Sequence, residues 1–119
     1  MKNDDATNDR IARMSFGAVY PLYLAKVEKK GRTKAELDEV IAWLTGLEPA
    51  RLEGMRAAGA SFAELFGAAS LNPRAGMITG VICGVRVEEI TNPLTQKVRY
   101  LDKLVDELAK GRAMEKVLR

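Results

Sequence analysis

Between residues 16 and 27 apolar side chains recur every three or four positions, the spacing of one face of an α-helix. Pro21 lies early in this stretch, where a helix tolerates proline. Two lysines and a glycine follow at positions 29–31, and both residue types suit a helix C-terminus. We therefore predict a first helix over about residues 18–30.

A capping box, Thr33-Lys34-Ala35-Glu36, predicts the start of a second helix, because each of its two polar side chains can satisfy a free backbone N–H. Apolar residues then follow at 37, 40, 41 and 44, and Gly46 provides the stop. Trp43 and Leu47 lie beside Val40 on the helical wheel and widen the apolar face. Such a face predicts contact with two neighbours or with a partner chain.

Four further helical segments follow from local signals. Pro49 can open a short helix to Ala58, and a second capping box begins at Ser61. Asn92-Pro93 predicts the start of a longer helix whose apolar seam runs to residue 108 and which ends near Lys110-Gly111. Residues 113–118 can form one more amphipathic segment.

The stretch 76–87 fits two interpretations. Its aliphatic residues match helical spacing at 78, 81, 82 and 85, but they also alternate like a strand at 81, 83, 85 and 87. A lone strand would leave unpaired edges, and we find no partner strand. We therefore predict a helix here, lined on one face by Gly76, Gly80 and Gly84, and place it at the centre of the fold. Cys83 is then a small buried apolar residue.

These segments together predict an all-α protein, a single compact domain of about five or six helices arranged as a small orthogonal bundle. The domain spans residues 11–119. Residues 1–10 are predicted to be a flexible polar leader, because they hold too few apolar side chains to offset the entropy cost of ordering.

The amino-acid composition excludes several kinds of catalytic and metal-binding site. The 119 residues include no histidine and one cysteine, which excludes Ser-His-Asp and Cys-His catalysis, histidine-ligated zinc and an intrachain disulfide. No signal-like apolar region and no run of about 18 apolar residues is present, so we expect a cytoplasmic protein without a membrane partner. The net charge of +3 is too mild to favour nucleic acid as a partner.

Carboxylates offer an enzymatic alternative. Glu36, Glu39, Asp102 and Asp106 could hold Mg²⁺ if their helices met, as in all-helical nucleotide or pyrophosphate hydrolases. The preferred interpretation is that basic neighbours pair with these acids on solvated helix faces and that Glu36 serves its cap. We therefore expect no metal and no cofactor, and no catalytic residue is assigned.

A run of basic residues suggests another function, weak binding of RNA or phosphate. Lys29, Lys30, Arg32 and Lys34 are the candidate phosphate contacts, close to Lys26. A solvated turn at a helix C-terminus explains the same residues and is preferred.

The leading hypothesis is a non-enzymatic binding or interaction domain that self-associates, so a homo-oligomer is expected. Its predicted interaction surface consists of Trp43, Val40, Leu47, Tyr20 and Tyr23. Trp43 and the two tyrosines, together with Met114, could instead line a pocket for a small molecule of unknown identity.

Several strings become specific when they occur together: FGAVYPLY at 16–23, KGRTK at 30–34, AWLTG at 42–46, VICGVRVEEI at 81–90, and the ending from RYLDKL at 99 to MEKVLR at 114–119. With them the chain resembles an uncharacterised bacterial family, domain of unknown function 2200, from about Ile11 onward. Residues 48–70 match loosely, and the polar leader is longer. The resemblance implies a small, mainly helical domain in the bacterial cytoplasm, without an assigned activity or site residues.

Overall fold

A computed structural model of the chain describes residues 5–119 and is organised around one long helix. The predicted all-α class is confirmed, although the described residues contain seven α-helices rather than five or six. They also contain one small hairpin. In chain order the elements are α1 (Asp5–Arg13), α2 (Phe16–Glu28), α3 (Lys34–Thr45), α4 (Pro49–Ala57), α5 (Phe62–Ala68), a 3₁₀ helix (Pro73–Met77), β1 (Val81–Ile82), β2 (Val85–Arg86), a second 3₁₀ helix (Val87–Glu89), α6 (Pro93–Ala109) and α7 (Met114–Val117).

Helices α3, α5 and α6 begin at the predicted capping residues. Both capping boxes form: the hydroxyls of Thr33 and Ser61 accept from backbone N–H groups three residues on, and the partner glutamates accept from the capping residues' own N–H groups. Asn92 caps α6 by accepting from the N–H of Thr95. The first predicted helix is observed two residues earlier, because Ser15 supplies its N-cap.

Helix α6 lies at the centre of the core. Nine of its residues are buried, and five of them form its apolar seam: Val98, Leu101, Leu104, Val105 and Leu108. Helices α1, α2, α3, α5 and α7 and strand β1 all pack against it. The prediction of a central helix at residues 76–85 is therefore wrong.

Residues 81–86 instead form a two-stranded antiparallel hairpin, in which Val81 pairs with Arg86 and Ile82 with Val85. Cys83 and Gly84 make the turn, both with positive φ, at 52° and 79°. Two consecutive left-handed residues are the signature of a tight hairpin turn whose twist matches that of the flanking strands. Each short strand thus finds its partner within the segment itself, and Cys83 is exposed rather than buried.

The predicted polar leader also differs from the structure where the two overlap. Residues 5–10 belong to α1, while residues 1–4 lie outside the described residues. Ile11 buries its side chain in the core, and Asn8 is buried as well. The hydroxyl of Thr95 donates to Asn8 Oδ1 at 2.7 Å. Contacts with α5 and α6, rather than local composition, hold this helix in place.

Among the described helices, none combines the length and the apolar character needed to cross a bilayer.

Candidate functional site

A cleft of about 370 Å³ opens between α1, α2 and α6. Its size is typical of small-molecule sites, which are mostly apolar with a few polar groups that fix orientation. We call it the tyrosine cleft and define it by its lining residues Thr7, Arg10, Ile11, Met14, Val19, Tyr23, Phe62, Val98, Arg99 and Asp102.

A hydrogen-bonded network forms the polar part of the tyrosine cleft. The hydroxyl of Tyr23 donates to Asp102 Oδ1 at 2.6 Å, and the Arg99 guanidinium donates to Asp102 Oδ2 at 2.9 Å. Arg99 and Asp102 lie one turn apart on α6, whereas Tyr23 comes from α2. Both carboxylate oxygens of Asp102 therefore have partners, and the network joins α2 to α6 within the cleft.

The pKa of Tyr23 lies well above its ordinary value of 10.0. Burial is the largest cause, and the charge of Asp102 and the hydrogen bond to it act in the same direction. Tyr23 is therefore a neutral phenol at physiological pH, and its hydroxyl donates a hydrogen bond to Asp102. It can position a ligand, but it is not poised to act as a base.

Charge in the tyrosine cleft is unbalanced. Arg10 and Arg99 supply two guanidinium groups and Asp102 one carboxylate, so one positive charge is in excess. Arg10 is exposed, and its hydrogen bond to the Thr7 hydroxyl is long, at 3.5 Å. Among the side chains that the structure describes, Arg10 has no ion-pair partner. The cleft thus combines apolar walls with an uncompensated guanidinium.

The predicted interaction surface is largely used inside the chain. Tyr20, Tyr23, Val40 and Leu47 are buried, and Trp43 is half-buried against the core. The wide apolar face of α3 therefore serves the chain's own packing, and only Trp43 retains substantial access to solvent.

Tyr20 belongs to a separate cavity of about 280 Å³ between α2, α3 and α4. Its hydroxyl donates to Asp38, which also accepts from Lys34 at 2.7 Å. The Arg56 guanidinium lies 3.8 Å from the centre of the Tyr20 ring, a cation–π contact. Burial raises the pKa of Tyr20, with the hydrogen bond to Asp38 adding to the effect.

The candidate phosphate contacts separate in space. Lys29 and Lys30 line one groove. Arg32 instead pairs with Glu36 at 2.9 Å, and Lys34 pairs with Asp38. The four residues therefore do not form one phosphate site, although two of them remain available.

The four carboxylates proposed for Mg²⁺ do not form a metal centre. Within residues 5–119, no three acidic or thiol side chains are grouped closely enough to hold a metal ion. Glu36 completes its cap and pairs with Arg32, Asp102 pairs with Arg99, and Asp106 pairs with lysines on both sides. Glu39 is exposed on α3. Asp102 and Asp106 thus form ion pairs of the kind that the preferred interpretation predicts, and the described acidic side chains are not grouped as the magnesium alternative requires.

Sequence analysis missed the tyrosine cleft as a site. The pairing of Asp102 with a basic neighbour was visible as a helical spacing, but Tyr23 lies 79 residues away. Arg10 lies in the segment that the sequence predicts to be a flexible polar leader, residues 1–10. Arg10, Tyr23 and Asp102 meet only through the packing of α1, α2 and α6, so no pattern within one segment could predict this site.

A bundle of short helices around one long helix, with a mixed cleft at its side, defines this chain as a small α-helical domain. Residues 10–119 match the family model described as "Uncharacterized protein conserved in bacteria (DUF2200)". The chain belongs to this family, which confirms the resemblance noted from its motifs.

A solved structure, the crystal structure of uncharacterized protein SP1917, is also similar. It is 43% identical to this chain, with a TM-score of 0.86, over 92% of this chain and 90% of that one. None of the curated proteins matches. Uncharacterized protein SP1917 therefore shares the fold of the chain, and its description names no activity.

Proposed function

We propose that this chain is a non-enzymatic binding domain that takes up a small anion with an apolar body in the tyrosine cleft. The observation that supports this proposal is that two guanidinium groups, those of Arg10 and Arg99 from two helices, line the cleft with a single carboxylate, and that among the described residues this carboxylate pairs with Arg99 alone. A carboxylate or phosphate head group would complete the charge balance at Arg10. Ile11, Val19 and Val98 would cover the apolar body.

The state of Tyr23 favours binding over catalysis. A general base needs a pKa near the working pH, and the pKa of Tyr23 moves in the opposite direction. The cleft also lacks a nucleophile paired with a base, since the Thr7 hydroxyl accepts from Arg10 and the sequence contains no histidine.

The test uses two probes with the same apolar chain, octanoate and 1-octanol, titrated into the ¹⁵N-labelled protein and followed by NMR. We expect octanoate to shift the amides of α1 and α6 around the cleft. We expect octanol to bind about tenfold more weakly, because it cannot form the charge-assisted hydrogen bond to Arg10.

Arg10→Gln and Arg13→Gln form a matched pair of variants. Both remove one exposed arginine from α1, but only Arg10 lines the cleft. Arg10→Gln should abolish the preference for octanoate, whereas Arg13→Gln should keep it. Equal binding of the two probes, or equal losses in the two variants, would contradict anion recognition at this site.

Self-association through Trp43 remains part of the proposal. Trp43 is the member of the predicted surface that still reaches solvent, and a partly exposed tryptophan is a frequent interface anchor. Sedimentation velocity over a concentration series should show a dimer that Trp43→Ala weakens, with circular dichroism confirming that the variant is folded. A monomer at every concentration up to about tens of micromolar would disprove self-association at a biological affinity.

A further inference from the structure

A second concave region lies where α2 and α6 end side by side. This groove has a volume of about 560 Å³, larger than the tyrosine cleft. We call it the lysine groove and define it by Lys26, Lys29, Lys30, Asp106, Ala109 and Lys110. Four of these six residues carry a positive charge and one a negative charge.

Asp106 organises two of the four lysines. Lys26 of α2 lies 3.2 Å from Oδ1, and Lys110 at the end of α6 lies 3.1 Å from Oδ2. Burial would raise the pKa of Asp106, but the hydrogen bonds from the two lysines outweigh it and lower that pKa. Asp106 therefore stays ionised and holds one ammonium group on each side.

Lys29 and Lys30 complete the rim of the groove. Both are exposed, and neither forms an ion pair in the part of the chain that the structure describes. Part of this charge is explained by the fold, because Lys29 and Lys110 are the C-cap residues of α2 and α6. The partial negative charges of two helix C-termini balance about one positive charge in total. Four lysines and one aspartate give a net charge of three, so about two positive charges remain in excess.

We infer that the lysine groove binds an oligophosphate, an anion with several adjacent phosphate groups. The groove is lined by four ammonium groups and one carboxylate, more positive charge than a single phosphate group requires, which suits a ligand with several negative charges. Ala109 is the one apolar lining residue, and no aromatic side chain lines the groove for a base to stack on. Recognition therefore falls on the phosphates, whether they belong to inorganic polyphosphate or to a nucleotide.

The test measures binding of sodium tripolyphosphate, ATP and a short single-stranded RNA by isothermal titration calorimetry at low and moderate salt. We expect tripolyphosphate to bind and its affinity to fall as salt rises. Similar affinities for tripolyphosphate and ATP would support recognition of phosphates alone. Tighter binding of ATP would support the nucleotide as the source. RNA as the tightest ligand, or no binding of tripolyphosphate, would overturn the proposal.

Two double variants separate the groove from general electrostatics. Lys29→Gln with Lys30→Gln removes two charges from the rim, and Lys97→Gln with Lys116→Gln removes two charges elsewhere. The first should weaken tripolyphosphate binding about tenfold, and the second less than about twofold. Equal losses would show that the anion follows net charge and not the groove.

Asp106→Asn gives a test of opposite sign. The substitution removes the one negative charge of the groove and releases Lys26 and Lys110 from their ion pairs. Affinity for tripolyphosphate should rise about threefold even though two native ion pairs are lost. Unchanged or weaker binding in a variant that circular dichroism shows to be folded would mean that the lysines serve only the helix ends.

Discussion

The ion pair between Glu107 of α6 and Arg119 leads to a quantitative prediction. Both nitrogens of the Arg119 fork lie 2.8 Å from the two Glu107 oxygens, and the side chains are 9% and 8% exposed. Arg112 approaches the same carboxylate at 3.1 Å from a more exposed position. These two ion pairs hold the segment that contains α7 against the central helix α6.

Glu107→Gln keeps the shape of the side chain but removes its charge, so the buried guanidinium of Arg119 loses its counter-charge. Breaking a buried pair by removing one partner typically costs about 3–5 kcal/mol. Arg119 keeps two carbonyl acceptors, those of Met77 and Val117, which places the cost at the lower end. We expect a loss of about 3 kcal/mol in the free energy of unfolding and a decrease of about 10 °C in Tm.

Urea denaturation followed by far-ultraviolet circular dichroism measures this loss as a lower midpoint at an unchanged slope. Glu115→Gln is the control, because Glu115 is exposed on α7 and unpaired within the described residues, and its cost should stay within about 0.5 kcal/mol. A double-mutant cycle with Arg119→Gln should give a coupling of about 2 kcal/mol. Equal effects of Glu107→Gln and Glu115→Gln would refute the assignment of a buried, stabilising pair.

Four further predictions concern packing and pH. A Cβ at Gly17 would lie 2.5 Å from the Arg56 carbonyl oxygen, so Gly17→Ala should cost about 2 kcal/mol in chemical denaturation. Gly54→Ala, with no atom within 4 Å of the new Cβ, should instead stabilise α4 by up to about 1 kcal/mol. The pKa of Asp106 is lowered from 3.8 despite the opposing effect of burial, so its stabilisation is complete above about pH 4 and is lost as pH falls further. Asp106→Asn should therefore reduce the acid dependence of the urea midpoint. Burial and the neighbouring carboxylate raise the pKa of Tyr23 well above 10.0, so its contribution is complete below pH 10 and is lost as pH rises beyond it. Tyr23→Phe should reduce the loss of stability on that alkaline side.

Local chemistry accounts for the elements that sequence analysis predicted correctly. The capping boxes at Thr33 and Ser61 and the Asn92 cap act over three residues, so each forms wherever its own segment becomes helical. The apolar seam of α6 likewise predicted its buried face. In these segments propensity, pattern and capping all favour the same structure, which is the condition for a reliable prediction.

The hairpin at residues 81–86 shows where a local pattern is ambiguous. Its aliphatic residues fit both periods, and a segment this short cannot distinguish them by spacing. The decisive feature was the Cys83-Gly84 turn, in which cysteine adopts a left-handed conformation that it seldom takes. Helix α1 is a different case, because its local sequence is polar and predicted no ordered structure. The segment is nevertheless helical, with Asn8 and Ile11 buried against the rest of the fold.

The sequence alone therefore determined the helical class, most helix boundaries and the exclusion of histidine-based chemistry. The tertiary structure alone decided which helix is central and which side chains meet in the two candidate sites. Tyr23 and Asp102 are 79 residues apart, and Lys26 and Asp106 are 80 apart. Their meeting depends on how α2 packs along α6, a long-range arrangement that the residues within either helix do not encode separately.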